Sequence, residues 1–215
     1  MRFLLLLPLI LLLFSCSSKT PPYEWRSHSA SAFASYTQSF LRDDALGSKS
    51  NLTMAIQHAK SSAKLEQLAS IYLGKCALDR AVGIKSNCRE YQKIANFIHS
   101  PTLFSYYSLL KGRLTSSQIN ALPPQYQSFA HSYTNANYPQ AFEAIMQIKK
   151  PTSQLIASSL IQKHLNNHQR DQILLIASKY GYKRAVIFWL EEQLNYTQNS
   201  AKKNQIKEKI KILQN

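Results

Sequence analysis

Few residues of this chain stand close enough in sequence to do chemistry together. His164 and His168 are four apart and would share a helix face, as two imidazole ligands of a metal must. Asn166-Asn167 lies between them as an inter-helix turn, and no third ligand is near, so no metal site is expected. Two acidic pairs occur, Asp43-Asp44 and Glu191-Glu192. The first falls between helical segments, where aspartate caps unpaired N–H groups. The second places neighbouring carboxyls about 100° apart around a helix, a poor acid and base pair. No G-x-S-x-G turn holds a serine nucleophile and no glycine loop cradles phosphate. No catalytic residue and no cofactor are expected.

Three cysteines remain: Cys16, Cys76 and Cys88. Cys16 closes MRFLLLLPLILLLFSC, in which Arg2 precedes an apolar run from Phe3 to Phe14. That run is shorter than the roughly 20 residues a bilayer span needs, and has the layout of a secretory signal. Leu13-Phe14-Ser15-Cys16 resembles the lipobox of bacterial lipoproteins, with Leu13, Ser15 and Cys16 in the matching places. The resemblance implies cleavage before Cys16, its lipidation and a membrane anchor. The alternative is an ordinary signal peptide that happens to carry a cysteine. Ser17 after the cysteine, by that family's sorting rule, implies the outer membrane, with the chain facing the periplasm. Residues 1–15 are then the signal peptide and 16–26 the lipidated cysteine and its polar tether. Cys76 and Cys88 form an even pair in an exported chain, which favours one disulfide; the alternative is two reduced, buried thiols.

The formal charge is +15, from 26 Lys+Arg against 11 Asp+Glu. Such a balance attracts acidic lipid, lipopolysaccharide phosphate or an acidic protein. Export, and basic residues spread thinly without interleaved aromatics, leave nucleic acid unexpected. The densest basic run, 201–215, sets Lys202, Lys203, Lys207, Lys209 and Lys211 around Ile206, Ile210 and Leu213. Those apolar residues form one helical stripe, so the segment is expected to be a lysine-rich capping helix. A surface that lies on anionic lipid is the sharper alternative.

Glycine is scarce, strand alternation is hard to find, and breaks at "GIKSN", "HSP", "ALPP", "KKP", "LNNH" and "YGY" cut the chain into helix-length pieces. An all-α fold of about ten to twelve short helices follows. Within it a pattern recurs: Leu65-x-x-Leu68-Ala69-x-x-Tyr72, Tyr126-x-x-Phe129-Ala130-x-x-Tyr133, Ile173-x-x-Ile176-Ala177-x-x-Tyr180, and more weakly Phe33-x-x-Tyr36-Thr37-x-x-Phe40. The small residue lets a neighbouring helix approach while the large ones flank the contact.

The pattern resembles the first helix of the tetratricopeptide (TPR) repeat, whose helix-turn-helix unit has a period of about 34 residues; "LASIYLGKC" also resembles the related Sel1-type repeat. The interval from Thr37 to Ser48 equals that from Ala130 to Ala141, one residue shorter than in the family. Spacing between copies is irregular. The resemblance implies a short α-solenoid of antiparallel helix pairs over 27–200, with 201–215 as its cap. A non-repetitive helical bundle is the alternative. In the family, ligand contacts line the groove of first helices. Carried over, those positions point to Gln38, Gln127 and His131, and their immediate neighbours to Arg42 and Tyr182, all expected to be exposed. Lytic transglycosylases also carry helical superhelices, but their catalytic Glu-Ser dipeptide is missing here. The function implied is a non-enzymatic, lipid-anchored scaffold or adaptor for an envelope protein partner. Binding of anionic lipid or lipopolysaccharide is the alternative.

Overall fold

A computed structural model describes residues 22–215; Cys16 and the whole signal segment lie outside them. The described residues are all-helical, without a strand. Eleven α-helices follow one another: α1 Glu24–Leu41, α2 Ala45–Ala59, α3 Glu66–Ala81, α4 Arg89–Ile94, α5 Pro101–Leu110, α6 Pro124–Thr134, α7 Tyr138–Met146, α8 Pro151–Leu160, α9 Asn167–Lys179, α10 Lys183–Tyr196 and α11 Ser200–Gln214. None of them is long and apolar enough to cross a membrane. α1 begins inside the expected tether: Glu24 stands in its first turn, where a carboxylate suits the helix dipole, and reaches His28 at 3.4 Å.

The helix starts have local causes. Asp44 accepts from Gly47 N–H at 2.9 Å to cap α2. Ser100 caps α5, with Pro101 in the first turn where its missing N–H is harmless. Pro124 and Pro151 open α6 and α8 in the same way. Asn166 and Gln169 cap α9 reciprocally, through bonds of 2.9 Å in each direction.

Three helix pairs share one kind of turn. Asp43, Ala136 and Gly181 are the left-handed residues (φ 68°, 52° and 65°) between α1 and α2, α6 and α7, and α9 and α10. In each the next N–H reaches back over the helix end: Asp44 to Ser39 O, Asn137 to Ser132 O and Tyr182 to Ala177 O, at 2.9–3.0 Å. This is the Schellman closure, which satisfies the last carbonyls of a helix. In the first two pairs the turn falls at the same distance from Phe40 and from Tyr133, and the small residue of the second helix, Ser48 or Ala141, is buried in both. After Tyr180 the turn comes two residues earlier, and α3 runs on past Tyr72 to Ala81 without turning.

The long α3 is the centre of the core. Leu68, Ala69, Ile71, Leu73, Cys76, Ala77, Leu78 and Ala81 are all buried, so the helix is apolar on most of its circumference. It packs against α1, α2, α4, α5 and α8. Gly74 admits the Phe33 ring of α1 where a Cβ would collide with it. Each large apolar side chain buried this way contributes about 1.5–3 kcal/mol. Past α3 the chain turns at Gly83 (φ 76°) and returns at Cys88, which is disulfide-bonded to Cys76 with Cα atoms 5.2 Å apart.

α1 also packs on α10. Arg184 bonds Asp43 and lies over the Phe40 ring, and Phe188 covers Gly83. In a simple stack each helix pair would touch only its neighbours.

Candidate binding surfaces

The helix pairs decide where the five groove residues go. Gln38 is exposed on α1, and its Nε2 donates to the Tyr182 hydroxyl at 3.3 Å. Tyr182 is 2% exposed, contrary to the expectation of an exposed side chain. It starts α10 directly after Gly181, and the packing of α10 on α1 covers it; its ring lies 5.7 Å from that of Tyr180. Arg42, at the end of α1, is exposed beside this pair. Gln127 is half-buried and turned inward, its Nε2 donating to the Asn120 and Leu122 carbonyls at 3.2 and 3.0 Å. It fastens the start of α6 to the preceding two-turn 3-10 helix, Ser116–Ala121, and offers a partner little. His131 is exposed in the last turn of α6. No hydrogen bond among the described residues joins Gln127 or His131 to the Gln38–Tyr182 pair.

The basic C-terminal segment forms α11. Ile206 is buried, Ile210 and Leu213 are half-buried, and the helix packs on α10. With 100° per residue, Lys202 and Lys209 fall on one flank of that stripe and Lys203, Lys207 and Lys211 on the other. The lysines therefore rim the seam with the body of the protein. Lys209 borders an apolar cleft of about 280 Å³ with Leu174, Val186, Leu190 and Ile212. Lys207 and Lys211 border a second, mixed cleft of about 340 Å³, which Glu191 and Leu194 also line.

The residues with catalytic types are kept apart. His164 ends a single-turn helix with its ring stacked on Tyr138 at 3.5 Å, and His168 belongs to α9. Asp44 caps α2 while Asp43 holds Lys183 at 3.6 Å and Arg184 at 2.8 Å. Glu191 is exposed, whereas Glu192 is buried, and burial raises its carboxyl pKa against the opposing pull of Arg170. Arg170 is itself buried, with Nη2 on the Gln162 carbonyl and its guanidinium over the Tyr196 ring. No group of three or more His, Cys, Asp or Glu among the described residues could hold a metal.

One cluster escaped sequence reasoning. Arg80, Lys85 and Lys111 meet around a concavity of about 360 Å³ with Ser86, Asn87, Ser159 and Gln162. Its three cations come from the end of α3, the stapled loop and the end of α5. Only the "GIKSN" break hinted at a turn there, and nothing in the spacing linked it to Lys111. No family model, curated protein or solved structure matches the chain.

Proposed function

We propose that the chain is a non-enzymatic adaptor, lipid-anchored through Cys16 to the periplasmic face of the outer membrane. Its TPR-like helix pairs, arranged as a short solenoid closed between α1 and α10, hold a protein partner in envelope assembly. The observation that carries this reading is the shared turn of α1–α2 and α6–α7, at matching positions of the recurring sequence pattern. A unit used twice with the same connection is how repeat scaffolds are built. Gln38, Arg42 and His131 are the exposed side chains the partner would meet.

The test is a crosslinked pull-down of the lipidated protein from its native envelope, washed at low and at high salt. One protein retained at both salts by the wild type, and lost from the triple variant Gln38→Ala, Arg42→Ala, His131→Ala, supports the adaptor. Equal retention by the variant rejects this surface. Cys16→Ala should release the protein from the membrane fraction; a variant still sedimenting with membranes would remove the anchor.

A second reading has its own support: the lysines of α11 rim an exposed seam, suited to an anionic lipid or lipopolysaccharide surface. Binding of that kind falls steeply with salt. Loss of vesicle binding in Lys207→Gln, Lys209→Gln, Lys211→Gln, with partner capture intact, would assign α11 this role.

A further inference from the structure

We infer that the concavity between the ends of α3, α5 and α8 is a binding site for the phosphate group of a small polar ester. This site is separate from both the helix-pair surface and α11. Its wall carries Arg80, Lys85 and Lys111 and no carboxylate. The nearest acid in sequence, Asp79, is engaged by Lys75 at 2.9 Å. None of the ion pairs among the described residues includes any of the three wall cations. The Arg80 Nε is buried without a hydrogen-bond partner. That Nε is closed off from solvent, so an incoming oxyanion would meet the outer guanidinium N–H groups of Arg80 and the two ammonium groups.

Cations near helix C-termini have an ordinary use, which is to bond the last carbonyls. Here the Asp79, Arg80, Ser108 and Leu109 carbonyls already have partners. The α3 end is closed by Gly83 N–H to Arg80 O and Ile84 N–H to Asp79 O, and the α5 end by Gly112 N–H to Leu109 O and Arg113 N–H to Ser108 O. The side chains are left for something else. Three cations and no wall carboxylate leave the site net positive even against the opposing dipoles of the helix ends. That suits the charge of a phosphate monoester, about −1.5 to −2 at neutral pH, better than that of a single carboxylate.

The loop bearing Lys85, Ser86 and Asn87 is held at both ends. Gly83 has φ 76°, and a Cβ there would collide with the Phe188 ring. Cys88 is fixed to Cys76 of α3. Holding the donors in place before binding reduces the ordering cost. A volume of about 360 Å³ exceeds a bare phosphate and lies at the small end of ligand sites, about 300–1,000 Å³. Apart from Ile84 the wall is polar, so the rest of the ligand is polar too. A soluble sugar or glycerol phosphate has this charge, and the phosphodiester of a phospholipid headgroup offers the same oxyanion with less charge.

The test is a calorimetric titration of the full chain with glycerol phosphate, and separately with phosphatidylglycerol vesicles and phosphatidylcholine vesicles. Saturable binding of glycerol phosphate that vesicles fail to displace assigns a soluble ester. Displacement by phosphatidylglycerol vesicles alone assigns a headgroup. In either case Lys85→Gln with Lys111→Gln should weaken binding at least about tenfold, as expected for lost charge-assisted bonds. Lys49→Gln with Lys60→Gln, two exposed lysines of α2 and its end, should leave it unchanged. Both lysine pairs are exposed or half-buried, so unchanged circular dichroism will show that the variants fold. Absence of saturation, or equal weakening by the Lys49 and Lys60 pair, overturns the assignment.

Discussion

Arg184 of α10 donates its Nε–H to Asp43 Oδ1 at 2.8 Å, across 141 residues of sequence, and holds its guanidinium 4.5 Å from the centre of the Phe40 ring. One side chain thus fastens the late helices to the first turn of the fold. Lys183 reaches the same carboxylate only at 3.6 Å. Both pairs are partly exposed, so the ion pair and ring contact together contribute about 1 kcal/mol. Arg184→Ala should lower the melting temperature by about 2–4 °C, and Lys183→Ala should barely change it. Equal losses would mean that bulk charge, and not the Arg184 geometry, holds α10 to α1.

Ala136 is the non-glycine residue in the left-handed position between α6 and α7. Its Cβ is strained there by about 1 kcal/mol, and the side chain is exposed. Ala136→Gly should therefore stabilise the protein by up to about 1 kcal/mol in urea unfolding, the reverse of the usual alanine-to-glycine effect. A lower midpoint in the variant would contradict the turn geometry.

The Cys76–Cys88 bond, with a sequence separation of 12, closes a short loop around Gly83. In the chain-entropy account a bond over such a loop contributes about 3 kcal/mol. Reduction should lower the urea midpoint accordingly, and Cys76→Ser with Cys88→Ser should reproduce the loss. An unchanged midpoint on reduction would show that packing alone holds the loop.

Glu192 makes stability depend on pH. Burial raises its pKa above the ordinary 4.5, with Arg170, Asn195 and Lys163 opposing the shift and Glu191 adding to it. The folded state therefore favours the protonated, uncharged carboxyl. Its contribution is complete below the ordinary value and lost as pH rises through the raised one. Glu192→Gln should keep the neutral form at every pH. Its advantage in melting temperature over the wild type should grow as pH rises above about 4.5. An advantage that shrank over that range would reverse the sign of the shift.

Much of the helical punctuation was legible because its causes are local. Pro101, Pro124 and Pro151 each open a helix, Asn166 caps one, and the turn between Cys76 and Cys88 was marked by Gly83. The recurring small residues Ala69, Ala130 and Ala177 are all buried, as their flanking pattern predicts. What escaped depends on distant partners. The repeat resemblance sets Tyr182 in an exposed groove, and only the packing of α10 on α1 buries it. Gln127 looks free until the carbonyls of Asn120 and Leu122 turn it inward. Arg80, Lys85 and Lys111 are ordinary single charges in sequence, and only the crossing of α3, α5 and α8 gathers them.

The contact between α1 and α10 limits how such a chain can change length over generations. An open stack of helix pairs gains or loses whole pairs by duplication and deletion while its ends stay intact. Here a pair inserted between α2 and α9 would carry Asp43 away from Arg184 and Gln38 away from Tyr182. A pair deleted from the middle would force the same groups past each other. A change in helix number would therefore cost the fold these contacts between its first and late helices, whereas substitutions in surface turns away from them would not.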